Sequence, residues 1–330
     1  MRKLRHMDRI CMLILCLGVC RSLPAQMKAV SISDAQTLPI PYTPNTIRIS
    51  TDLVTVPVSV TDASGATVTD LEKEDFRIEE EGKPESILTL IQAGQSPLQL
   101  TLILDLSGSL QSNFEFEQKA AGRFLEKIWK QGDSVSIITV NKQPEVHLGS
   151  SVSLEEALKF VSALRPTEDA TAFFDSVVMA SELLTHSTAP NTRQATVIFS
   201  DGEDNRSDCG FPDALNATQR SNTVVYSINP SGPSIRLNEI SIKGQEWLVS
   251  LAGKTGGAAF VSDRLSDLDS IYERIAVELR SLYLMSYYSS NTRTDGAFRH
   301  ISVSIPAKPE LRIRAREGYY AIQESSELRK

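Results

Sequence analysis

Five oxygen-bearing residues carry the chemistry this 330-residue chain offers. Asp105, Ser107 and Ser109 alternate in Asp105-Leu106-Ser107-Gly108-Ser109, and Thr171 and Asp201 lie far downstream. Two carboxylates and three hydroxyls are hard donors. They suit Mg²⁺, and also Mn²⁺ or Ca²⁺, and are poorly suited to zinc or copper. So few charged ligands leave a divalent ion under-neutralised, with an open position that an acidic group of a partner can complete.

That chemistry requires the five residues to converge, which depends on the elements beneath them. Leu100–Asp105 is an apolar run of strand length ending in an acid, and Ala195–Ser200 is a second one that runs directly into Asp201. Buried parallel strands have this character, and open α/β sheets place ligand sites at their carboxyl ends. If the two strands are neighbours or near-neighbours, all five residues meet at one sheet edge. Between and after them, helical and strand signals alternate. Helices are expected at Phe116–Lys130, with Phe116, Ala120, Phe124, Leu125 and Ile128 on one face, and at Leu154–Leu164, where Ser153 and Glu156 have capping-box spacing. Further helices are expected from Thr171 to about Leu184, around Ala214–Gln219, at Glu246–Ala252 and at Leu265–Leu282. Strands are expected at Ser134–Val140, Val146–Leu148 (an antiparallel edge), Thr223–Ile228 and Ala258–Val261. This alternation predicts a mostly parallel sheet covered on both faces over residues 96–282.

The flanks differ. From Ile47 to about Gln92 the hydrophobic period is two, in short strands separated by turns, with Pro57 favouring an edge or a bulge. Residues 283–322 have the same character. Neither fragment is large enough to bury a core alone. The economical expectation is one small β-sandwich domain built from 48–95 and 283–322, with the α/β domain inserted between its halves.

Here the chain resembles a known family. Asp105-Leu106-Ser107-Gly108-Ser109, Thr171 in TAFFDS and Asp201 in FSDGEDN resemble the metal-ion-dependent adhesion site of the von Willebrand factor A (vWA) domain, in chain order, spacing and preceding strands. The resemblance implies a Rossmann-like three-layer α/β fold. It also implies direct metal binding by the hydroxyls, with the aspartates binding directly or through water. The flanks, VPVSVTDASGATVTDLEKEDFRIEEEGKPE and RAREGYYA, are similar to those of exported vWA-related proteins of Acidobacteria.

The amino terminus reads as an export signal. Arg2, Lys3, Arg5 and Arg9 precede the ten-residue apolar run Ile10–Val19, and a cut after Ala25 is expected. A lipid-modified Cys20 is the competing reading. The run is too short for a membrane-spanning helix, so no such helix is expected in the mature chain. Residues 26–47, with Pro39, Pro41 and Pro44, read as a linker, and 323–330 as a tail. Residues 1–25 hold five Lys/Arg and one Asp, so their removal moves the formal charge from −7 to −11. Such a surface argues against a nucleic-acid partner. Cys209 is the one cysteine left after such a cut, which excludes an intrachain disulfide framework and a thiolate cluster. It reads as an ordinary small side chain rather than a reactive thiol.

Other acids read as structural. Glu203, Asp204 and Asp208 form an acidic loop expected to be a solvated face rather than a second cation site, and Asp175 is expected to cap or salt-bridge. No enzyme is expected. His147, His186 and His300 are scattered without a paired partner, and Gly253-Lys254-Thr255 lacks the upstream glycine of a phosphate loop. The expected function is an exported, secreted or periplasmic module that binds a protein or peptide partner through a divalent cation, for adhesion or assembly. The alternatives are an envelope structural protein whose ion stabilises the fold and a metal-dependent hydrolase.

Overall fold

The computed structural model describes residues 53–107, 114–167, 170–185, 192–230, 238–262 and 264–322. The export signal, Cys20, the linker, Ser109, His186 and the tail lie outside the described residues.

Strands β1 (Leu53–Thr61), β2 (Arg77–Glu80), β3 (Lys83–Glu85) and β4 (Ile87–Gln92) come first. The α/β part follows, as β5 (Leu98–Asp105), α1 (Phe114–Ile128), β6 (Ser134–Val140), β7 (Glu145–Ser151), α2 (Leu154–Ala163), α3 (Phe173–Thr185) and β8 (Arg193–Phe199). It continues through α4 (Phe211–Arg220), β9 (Val224–Asn229), α5 (Glu239–Lys254), β10 (Ala259–Val261) and α6 (Leu268–Ser281). Strands β11 (Tyr283–Tyr288), β12 (Phe298–Ser304), β13 (Arg312–Ala315) and β14 (Gly318–Tyr320) complete the order.

The central sheet runs β10-β9-β8-β5-β6-β7, parallel throughout except for β7, which is antiparallel to β6 at the edge. All eight residues of β5 are buried. Their two-residue period splits them between the layers. Leu98, Leu100, Leu102 and Leu104 join one core with α1 and α6, whereas Ile103 joins the other with α3 and α5. This is the mostly parallel three-layer α/β fold the alternating pattern predicts.

The first and last strands pair with each other. β1 is antiparallel to both β11 and β13, and β2 to β12, giving the sheets β13-β1-β11-β4 and β14-β12-β2-β3. Val54, Val56, Val58 and Val60 of β1 meet Ile78, Tyr283, Met285 and Tyr287 in a separate core. Pro57 therefore stands in an inner strand and not at a sheet edge. The strand tolerates it because pairing with β13 begins only at Val58, so at Pro57 there is a register partner on one side, Leu284.

Two local differences have simple causes. Helix α5 begins at Glu239, seven residues before the expected start, capped by Asn238, whose Oδ1 accepts from the amides of Ile240 (2.9 Å) and Ser241 (3.0 Å). At α2, Ser153 Oγ accepts from Glu156 N as the capping box requires, but the return contact runs through a third residue. Ser151 Oγ donates to Glu156 at 2.6 Å and accepts from Ser153 N at 3.1 Å. Ser153→Ala is expected to destabilise the protein by about 1 kcal/mol, measured by urea unfolding. No helix among the described residues is long and apolar enough to cross a membrane.

Candidate metal centre

β5 and β8 are direct neighbours, in register from Leu98–Arg193 to Leu104–Phe199. Their next residues, Asp105 and Ser200, therefore meet at the carboxyl edge. Ser200 Oγ donates to Asp105 Oδ2 at 2.6 Å, and Ser107 N donates to Oδ1 at 2.9 Å. Asp201 follows Ser200, and its Oδ1 accepts from Glu203 N at 3.1 Å. Asp105 and Asp201 are 2% and 3% exposed, so two carboxylates share a site nearly closed to water. Burial, and then the charge of Asp201, push the Asp105 carboxyl up to about 6.

Thr171 reaches the same edge from the loop between α2 and α3. Thr167 N donates to Leu106 O at 2.7 Å and Ala172 N to Asn141 O at 2.8 Å, which pins the loop to the ends of β5 and β6. A reciprocal pair fixes Thr171 itself: its amide donates to Asn205 Oδ1 at 2.9 Å and its carbonyl accepts from Asn205 N at 3.1 Å. Since Asn205 belongs to the loop that begins at Asp201, the Thr171 and Asp201 loops form one unit. Ser107 and Thr171 are both buried, each 4% exposed. Four of the five expected residues are thus carried to the same sheet edge.

The donor set fits a hard divalent cation. The charged group acting on Asp105 is another carboxylate, and Ser107 and Thr171 bring neutral oxygens.

Several residues that hold this arrangement were not singled out from sequence. Ser200 and Asn205 position Asp105 and Thr171. Asp204, expected on a solvated face, instead caps α3: its Oδ2 accepts from Phe174 N at 3.0 Å, and Ser207 donates to it through both amide and hydroxyl. Glu203 accepts from Ser241 Oγ on α5. Asp204→Ala is expected to cost about 1 kcal/mol and to loosen the loop joining Asp201 to Thr171, read as faster hydrogen exchange at Phe174. Asp175, expected to cap or salt-bridge, instead accepts from the loop amides of Asp208 (3.0 Å) and Cys209 (3.1 Å) ahead of α4, which ties α3 to that loop. Burial and the neighbouring Asp175 push the Cys209 thiol up to about 12, which keeps it protonated and inert. His147 sits on edge strand β7, sharing a 2.6 Å hydrogen bond with Thr139 and stacking on Phe160.

Residues 100–203, which include Asp105, Ser107, Thr171 and Asp201, match the family model for the von Willebrand factor type A domain. This chain carries a vWA domain. Among curated protein sequences, none matches it. Solved structures similar to it include an aerotolerance-related membrane protein from Bacteroides fragilis, 17% identical over 55% of this chain and 98% of that one, with a TM-score of 0.45. The conserved hypothetical protein BatB from Bacteroides thetaiotaomicron is 17% identical, over 56% and 100% of the two chains, with a TM-score of 0.42. Proximal thread matrix protein 1 from the mussel byssus, with a zinc-occupied MIDAS motif, is 12% identical over 61% and 49%, with a TM-score of 0.47. The vWA match spans β5 to the start of the loop after β8, the segment that carries the four buried oxygen donors.

Proposed function

We propose that this chain is an exported binding module that captures a protein or peptide partner through a divalent cation at the carboxyl edge of its vWA domain. The observation that carries this reading is the burial of Asp105 and Asp201 together, with Ser107 and Thr171 at the same edge. Asp105 and Asp201 would supply the negative charge, and Ser107, Ser109 and Thr171 neutral oxygens. Ser200 and Asn205 hold the first carboxylate and the threonine in place. The ion best suited to these donors is Mg²⁺, with Mn²⁺ or Ca²⁺ as substitutes, and when bound it would supply a coordination position for a carboxylate of the partner. Binding, not catalysis, is the activity proposed. The basic and apolar start of the chain supports a secreted or periplasmic location, and the pairing of β1 and β2 with β11 to β13 supports a vWA domain inserted into a split β-sandwich.

The test is capture from an envelope extract of the source organism on immobilised protein, in Mg²⁺ or in EDTA, with Asp105→Ala as the control. A partner retained in Mg²⁺, and lost both in EDTA and on Asp105→Ala, is the expected result. Capture that survives both treatments would sink the adhesive role. If the same EDTA still lowered thermal stability, the ion would be assigned to fold maintenance.

A further inference from the structure

Among the described residues, the buried and half-buried arginines are matched, with one exception. Arg299 lies 3.5 Å from Glu80, Arg314 meets Glu278, Arg280 meets Asp133, and Arg193 donates to the carbonyls of Ser96 and Leu279. Arg316 is 7% exposed, yet its guanidinium donates to one side-chain oxygen, that of Asn222, and its Nε has no partner. The acid next to it is taken: Glu317 pairs with Lys254 at 2.9 Å and accepts from Gln219 Nε2 at 3.3 Å. A buried charge in that condition carries its desolvation cost unrepaid, and a guanidinium so placed calls for an anion.

The same side chain lines a cavity of about 500 Å³, within the range of ligand sites. Leu53, Val54 and Thr55 of β1 form one wall. Side chains alternate between the two faces of a strand, so a cavity touching three consecutive residues runs along the strand's edge. That edge is open. β11 pairs with β1 from Leu53 to Val58 on one side, whereas on the other β13 pairs only with Val58–Thr61. After β13 the chain turns away to build β14 in the second sheet; Arg316 is held at the turn by a bridge to Thr255, and Tyr319 and Ile322 form another wall. Arg220, at the end of α4, adds a second positive charge, and no acid stands among the lining residues. In a chain of formal charge −7 this is a cationic recess. Asn222 precedes β9, so the recess lies at the amino edge of the central sheet, the end opposite Asp105 and Asp201.

We propose that this recess captures the carboxyl terminus of an extended peptide, whose backbone pairs with the open edge of β1 at Leu53–Val56 and whose terminal carboxylate is received by Arg316. Strand addition to a free edge and capture of a terminal carboxylate are both established recognition modes, and a guanidinium suits a carboxylate in charge and geometry. Pro57 has no N–H and ends the stretch that can donate. Leu53 and Ile322, 52% and 58% exposed, offer apolar contact to the peptide's side chains. The site is separate from the cation edge and requires no metal.

The test is retention on the immobilised full chain, in EDTA, of a pool of randomised N-acetylated tetrapeptides with free carboxyl termini, beside the same pool amidated, with mass spectrometry as the readout. Wild type should retain the acid pool at least about tenfold over the amide pool, as expected for hydrogen bonds to a charged group. Arg316→Gln should erase that preference. Should Arg316→Gln fail to fold, Arg316→Lys keeps the charge but not the planar fork and should reduce the preference several-fold. An acid pool with N-methylated backbone amides should be lost, because it cannot donate to β1. Equal retention of acid and amide pools, retention of neither, or a preference intact in the folded Arg316 variant overturns the proposal. Undiminished retention of the N-methylated pool overturns the strand pairing. Retention seen in Mg²⁺ and absent in EDTA belongs to the cation edge and overturns the assignment to this recess.

Discussion

Asp201→Asn should abolish stabilisation by Mg²⁺ without weakening the metal-free protein. Asparagine keeps an acceptor for Glu203 N, so the loop geometry survives. What disappears is one of two buried charges, and with it the repulsion that pushes Asp105 upward. A ligand that binds only the native state stabilises it by about 2.7 kcal/mol at one hundred times its Kd. For a chain of this size that is a thermal shift of several degrees. Wild type should therefore melt higher in MgCl₂ than in EDTA. The variant should melt at one temperature in both, no lower than wild type in EDTA. The two halves of the expectation discriminate. A variant that merely damages the fold lowers the EDTA midpoint, whereas one that removes a metal ligand leaves it alone and erases the response. A Mg²⁺ shift equal to that of wild type would remove Asp201 from the site.

Gly244→Ala should destabilise the protein, against the trend for helix interiors, and should also weaken cation binding. On propensity alone alanine gains up to about 1 kcal/mol at such a position. Here a Cβ would stand 2.8 Å from Asp201 O and 2.7 Å from the carbonyl carbon of Gly202. The obstacle is backbone on both counts, so no side chain can swing away. Gly202 has φ +78°, and a Cβ there would meet Gly244 O at 2.3 Å, so each glycine makes room for the other. Overpacking of this kind costs about 1–3 kcal/mol. The strain is relieved by moving α5 away from the loop that starts at Asp201, which displaces the carboxylate. A chemical-denaturation midpoint below wild type together with a reduced Mg²⁺ response is expected. A rise in stability would show that α5 and the Asp201 loop are less tightly packed than the distances require.

The strong periodicities were readable from sequence, and the long-range contacts were not. Every strand of the central sheet except the polar edge strand β7 follows from an apolar run, and Asp105 and Asp201 are visible as acids that end such runs. Their partners are visible only in the fold. Ser200 reaches Asp105 across 95 residues, and Asn205 reaches Thr171 across 34, through a pairing of β5 with β8 that no local signal specifies. The first turns of α5 were hidden because Gly244 interrupts the helical pattern, and the space it leaves is needed by Gly202. Pro57 misled for a related reason, since the antiparallel β13 ends at Ala315, opposite Val58, one residue too early to pair with it.

Diffraction from crystals grown with MnCl₂, recorded to give manganese anomalous signal, tests the central claim most directly. One peak per chain within bonding distance of the oxygens of Asp105, Ser107, Thr171 and Asp201 is the predicted result. No peak at the carboxyl edge of β5 and β8, or a peak held only by surface acids elsewhere, would contradict it.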